Sequence, residues 1–191
     1  MKSEKLKLEN YFKDFNSLLK FETNQNFNKI IDIKKELIST KQRKKKILIF
    51  GNGGSSSIAS HFSVDLTKNA KIRCINFNEH NLITCFSNDY GFDKWIEKAL
   101  NFYGDRGDTI ILISSSGKSK NMLRASKAAK KKSIKIITLT GMGKNNPLKK
   151  SGNINLWVNS DAYNFIENIH QIWLLSIVDS IIGKSIYSSN R

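Results

Sequence analysis

Between residues 6 and 41, apolar side chains return at three- and four-residue steps: Leu6, Leu8, Tyr11, Phe12, Phe15, Leu18 and Leu19, then Phe27, Ile30, Ile31, Ile33 and Leu37. This period places apolar groups on one face of an α-helix, and it predicts two helices at the amino-terminal end. Past Lys45 the pattern changes. Short apolar runs at 46–50, 71–76, 109–114, 134–140 and 154–158 have the length of strands. Helical stretches fall between them: one running to about Thr67, then 92–102, 118–131 and 162–182. Strand and helix in alternation predict an α/β fold: a doubly wound parallel five-stranded sheet flanked by helices, with right-handed crossovers. In such sheets ligands settle outside the carboxyl ends of the strands.

A chain of 191 residues with 39% hydrophobic residues can bury one core and is too short for two full-sized domains. The single Pro and the lack of a Ser/Gly/Pro-rich linker give no boundary. One domain over 1–191 is therefore expected, with amino-terminal helices in 1–43 and an α/β core in 46–182. The apolar runs at 46–50 and 109–114 are far short of the roughly 20 residues of a membrane span. The charged, polar start of the chain does not resemble a secretory signal. A cytoplasmic protein with no membrane partner is expected.

The formal charge of +16 invites a nucleic-acid partner. The lysines are spread, however, over the amino-terminal helices and over 44–46, 130–132 and 149–150, without an aromatic-interleaved stripe or a known nucleic-acid motif. Nucleic acid is not the expected partner. Cys74 and Cys85 have no metal spacing, and both are expected to be small buried hydrophobes.

Candidate chemistry lies in the turns. Gly51-Asn52-Gly53-Gly54-Ser55-Ser56-Ser57 joins a strand to a helix, where free N–H groups and the positive helix end favour an anion. The spacing is neither that of a dinucleotide fingerprint nor that of a P-loop, so no nucleotide cofactor is expected. A tight turn with a Ser cap is the plainer alternative. Ser114-Ser115-Ser116-Gly117-Lys118-Ser119 also follows a strand and opens a helix, and its hydroxyls can take a phosphate dianion without a metal. Thr138-Leu139-Thr140-Gly141 offers more hydroxyls, or an ordinary turn.

The segments GNGGSSSIASHF, SNDYGF, GDTIILISSSGKS, KIITLTG and FIENIHQI resemble, in order and spacing over 46–182, the sugar isomerase (SIS) domain family. Within it they resemble the phosphoheptose isomerases, which turn sedoheptulose 7-phosphate into an aldose heptose phosphate for surface polysaccharide. The resemblance implies an SIS-type sheet and a homotetramer built by the amino-terminal helices, with active sites between subunits. It puts a sugar phosphate on Ser55, Ser114, Ser115, Ser116 and Ser119, with Asn52, Gly53 and Asp89 on the sugar backbone. The family's proton-abstracting Glu falls on Asp65, and its second catalytic group, a His, falls on Leu175. The Gln of the last helix falls on Glu167, a helix-opening Asp on Asn164 and an Arg on Asn69. His170 matches a family His that is not the catalytic one. Some members hold zinc where His61, Asp65 and Glu167 stand.

Moving a ketose carbonyl needs a base to lift a carbon-bound proton and an acid to serve the enediol oxygens. Leu175 can do neither. Asp65 is then the expected base, with Glu167 and His170 as replacement proton-transfer groups, or with zinc on His61, Asp65 and Glu167 polarising the carbonyl. The spacing of His61 with Asp65, and of Glu167 with His170, puts each pair on one helix face. A capped helix residue, a solvated carboxylate and a core histidine are the plainer alternatives. The competing function is a non-catalytic phosphosugar-binding or partner-binding protein that has lost its proton-transfer set.

Overall fold

The computed structural model describes residues 2–186, so the outer limits of the expected 1–191 domain lie outside the described residues. Its first element is α1 (Lys2–Gln42), a single helix of 41 residues where two were expected. Nothing between Leu19 and Phe27 stops the backbone ladder, since no Gly or Pro occurs there. The apolar pattern lapses because polar Glu22 and Asn26 are themselves buried. Asn26 donates from Nδ2 to the carbonyls of Glu22 and Trp157, at 2.8 and 3.3 Å, which satisfies a polar group at a core-facing position.

The remaining elements alternate: β1 (Ile47–Gly51), α2 (Gly54–Lys68), β2 (Cys74–Asn76), α3 (His80–Tyr90), α4 (Trp95–Tyr103), β3 (Thr109–Ser114), α5 (Lys120–Lys131), β4 (Lys135–Thr140), α6 (Pro147–Ser151), β5 (Ile154–Trp157) and α7 (Tyr163–Ile182). The five strands form one parallel sheet in the order β2-β1-β3-β4-β5. Every residue of β1 and β3 is buried, so each reads as an unbroken apolar run. Alternate side chains feed two cores. Ile47, Ile49, Ile111 and Ile113 pack under α1, α2 and α7, while Leu48, Phe50, Ile110 and Leu112 pack under α4, α5 and α6.

Several expectations are corrected here. The second strand is confined to three residues, and α3 and α6 were not foreseen. No residue of α3 is fully buried, so it carries no strong apolar signal. It starts where the Glu79 carboxylate accepts from the N–H groups of Asn81 and Leu82. Cys74 is buried as expected, but Cys85, on the outer side of α3, is exposed. The apolar stretches are also not all of strand length, because α7 has the length and composition of a membrane span. Its Ile166, Ile169, Trp173, Leu174, Ile177 and Val178 are buried in the core, which is what its apolar character serves.

Asp108 pins the central strands at their amino ends. It is 1% exposed, accepts from the Lys46 N–H at 3.1 Å and pairs with the Lys46 ammonium at 2.7 Å.

Candidate active site

β1 and β3 are neighbours, with Gly51 level with Ile113, so the turns that follow them leave the sheet side by side. The first turn needs glycine. Gly53 has φ 55°, in the left-handed region, and hands the chain to α2, which begins at Gly54. The second turn runs from Ser114 into α5. The two are tied by a reciprocal amide pair: Asn52 donates to Asn121 Oδ1 at 3.1 Å, and Asn121 donates to Asn52 Oδ1 at 2.9 Å.

Between them lies a pocket of about 350 Å3. From the first turn Asn52, Gly53, Gly54 and Ser55 line it, and from the second turn Ser114, Ser115, Ser116 and Ser119. α7 supplies Tyr163 and Glu167. No lysine or arginine is among these lining residues, so the donors open to an anion here are N–H and O–H groups and helix ends, and Glu167 is the one acid beside them.

The hydroxyls differ in what they already hold. Ser114 and Ser119 pair with each other at 3.2 Å, and Ser116 accepts from the Lys118 N–H at 3.2 Å. Ser55 donates to Glu167 Oε1 at 3.3 Å. Ser115 Oγ is buried without any hydrogen-bond partner, although the Ser115 carbonyl accepts from Gly141 at 2.8 Å. A buried hydroxyl with no partner costs stability, and Ser115 is one of the residues that line the pocket.

The structure thus brings together Asn52, Gly53, Ser55, Ser114, Ser115, Ser116, Ser119 and Glu167. It does not place Asp89, His61, Asp65 or His170 in this lining. Asp89 is exposed on α3, beside Asn88 and Cys85. His61 and Asp65 sit further along α2, with 3.4 Å between His61 Nε2 and Asp65 Oδ2; His61 Nδ1 lies 3.3 Å from the Gln171 amide of α7. His170 is fully buried, and its Nε2 lies 3.1 Å from the Thr140 carbonyl. A carbonyl can only accept, so Nε2 carries the proton, and Nδ1 is left without a partner. Burial pushes the His170 pKa down to about 4, with the Thr140 hydrogen bond acting weakly the other way.

Among the described residues no three His, Cys, Asp or Glu side chains gather as a metal ligand set. The Glu167 carboxylate is turned to the head of α2, against Gly54 and Ser55. Asp65 lies ten residues beyond Ser55, about 15 Å along the helix axis. His61, Asp65 and Glu167 as arranged here do not fit zinc.

Sequence reasoning missed Gly54 and Tyr163. Gly54 could have been found from its place at the first turn of α2. A Cβ there would run into the Glu167 carboxylate, so glycine is what admits that side chain. Tyr163 opens α7 and carries no sequence signal of its own.

A profile of the SIS domain matches residues 10–141. The phosphoheptose isomerase of Helicobacter pylori (strain ATCC 700392 / 26695) is 36% identical over 153 residues, covering 76% of this chain and 78% of its own. The solved phosphoheptose isomerase of Francisella tularensis superposes with a TM-score of 0.86 at 30% identity, over 93% of this chain and 97% of its own. That of Neisseria gonorrhoeae gives 0.87 at 25% identity, over 94% and 98%. With one SIS profile over most of its length and isomerases of one kind matching in sequence and in fold, the chain belongs to the SIS domain family, on its phosphoheptose isomerase branch.

Proposed function

We propose that this chain is a sugar-phosphate aldose-ketose isomerase of phosphoheptose type, interconverting sedoheptulose 7-phosphate and an aldose heptose phosphate. The observation that carries the proposal is the unpartnered Ser115 hydroxyl, set among Ser55, Ser114, Ser116 and Ser119 in a pocket where two strand ends meet. These donors hold the phosphate, and Asn52 and Gly53 hold the sugar backbone. Neutral donors suffice because charge-assisted hydrogen bonds to a dianion are about twice as strong as neutral ones.

The reaction needs one proton removed from the carbon next to the carbonyl and one delivered to the neighbouring carbon, with the oxygens served in between. Glu167 is the carboxylate that lines the pocket, and it takes up proton transfer in place of the group lost at Leu175. Asp65, one turn beyond His61, is the second base candidate, brought to the sugar in the assembled protein. The assembly proposed is a homotetramer joined through α1, whose Leu6, Leu8, Tyr11, Phe12 and Phe21 are exposed in the single chain. Its active sites lie between subunits, where Asp89 of a neighbouring copy completes the sugar contacts. A cytoplasmic location goes with this substrate.

A second reading is favoured by Leu175 alone: a phosphosugar-binding protein without turnover. Incubation with sedoheptulose 7-phosphate in deuterated water separates the two. Deuterium on the sugar carbons and formation of the aldose support the isomerase. Tight binding with no exchange above that of an Asp65→Ala/Glu167→Gln double variant would establish the binder instead.

A further inference from the structure

A groove larger than the serine pocket lies away from it, between α4 and α5, with a volume of about 760 Å3. Lys120, Arg124, Lys127 and Lys131 of α5 line it at i, i+4, i+7 and i+11, and Lys130 and Lys132 close its end. The four form a stripe with steps of about 6, 4.5 and 6 Å along the helix axis. Lys120 lies 3.8 Å from Asp93, and Lys132 donates to the Asn101 carbonyl at 3.1 Å. Among the described residues Arg124, Lys127, Lys130 and Lys131 have no carboxylate within ion-pair distance. The floor is apolar, made by Leu123 and Ala128, and Glu97 of α4 is the single acid in the lining.

We propose that this groove docks an acidic, amphipathic helical segment of another protein. Carboxylates at the same helical spacing would meet the stripe in register, and the apolar side of such a helix would cover Leu123 and Ala128. The excess of 32 basic over 16 acidic residues makes an acidic partner the complementary one. A phosphodiester chain fits less well. No aromatic side chain is present in the lining to stack a base, and Glu97 faces the path of a backbone.

The test titrates a labelled synthetic helix, with Glu at i, i+4, i+7 and i+11 and Leu at the adjoining positions i+3 and i+8, into the full-length chain, read by fluorescence anisotropy. Saturable binding is expected, weakened at least about tenfold by Arg124→Glu/Lys127→Glu/Lys131→Glu, with isomerase turnover unchanged. Protection of Lys127 and Lys131 from acetylation by the bound peptide gives the same answer on the unaltered protein. Equal affinity for a scrambled peptide of identical composition would reduce the groove to diffuse charge and overturn the proposal. So would an oligonucleotide of matched charge that binds more tightly through the same residues.

Discussion

Ser55 at the head of α2 donates its hydroxyl to the Glu167 carboxylate of α7 across 3.3 Å, joining a serine proposed to hold the phosphate directly to an acid. Each constrains the other. A phosphate arriving at Ser55 displaces that hydrogen bond and brings negative charge beside Glu167 in a lining without a cation.

Glu167→Gln removes the charge and keeps a hydrogen-bond acceptor for Ser55. The expected outcome is a kcat lower by about 10²- to 10⁴-fold, because a general acid-base group is lost. Binding of the sugar phosphate, followed by calorimetry, is expected to be equal or tighter. Weaker binding with kcat retained would place Glu167 outside proton transfer.

Ser115→Ala separates binding from stability. The hydroxyl has no hydrogen-bond partner within the protein, so its removal leaves thermal stability equal or slightly higher. A hydrogen bond to a charged ligand is worth about 1.5–3 kcal/mol, so phosphate affinity should fall about 10- to 100-fold. A variant that melts earlier and binds normally would mean that Ser115 serves the fold.

Gly54→Ala is expected to keep the fold and shift Glu167. The three atoms nearest a Cβ at Gly54 all belong to the Glu167 carboxyl group, the flexible end of a long side chain. Alanine also favours the helix by about 1 kcal/mol over glycine. Turnover should fall, and in a Glu167→Ala background Gly54→Ala should cost nothing further, a coupling that a double-mutant cycle measures.

His170 predicts a pH dependence of stability. Its folded pKa, lowered by burial from 6.5 to about 4, lies below the unfolded value. The unfolded chain therefore binds a proton that the folded chain refuses, and stability present above about pH 6.5 is lost as pH falls toward 4. The loss is on the order of 3 kcal/mol. Denaturant melts of His170→Leu across this range should be flatter than those of the parent. A parallel pair of curves would remove His170 as the cause.

The strands were legible in the sequence because sheets covered on both faces write continuous apolar runs, as in β3, where all six residues are buried. The turns were legible because Gly and Ser cluster at the strand-to-helix junctions. The unity of α1 was hidden by the buried polar pair Glu22 and Asn26, and α3 by having no fully buried residue. Within the site, helical spacing shows which side chains share a face, but not the height at which two helices touch. α2 and α7 meet with Gly54 and Ser55 against Glu167, which leaves Asp65 far along α2. His170 and Glu167 differ by about 60° around the helix, enough to carry the imidazole from the pocket rim to the core beneath β4.

The two serine-bearing bends belong to strands that touch in space but are separated in the chain by α2, β2, α3 and α4. In the proposed site neither half of the polypeptide grips the oxyanion alone, so ligand capture waits on the strand pairing of greatest sequence separation in the sheet. Affinity for a phosphorylated sugar is thereby a gauge of sheet closure: lesions that loosen Asp108 from Lys46 should erode occupancy while helical content is still intact.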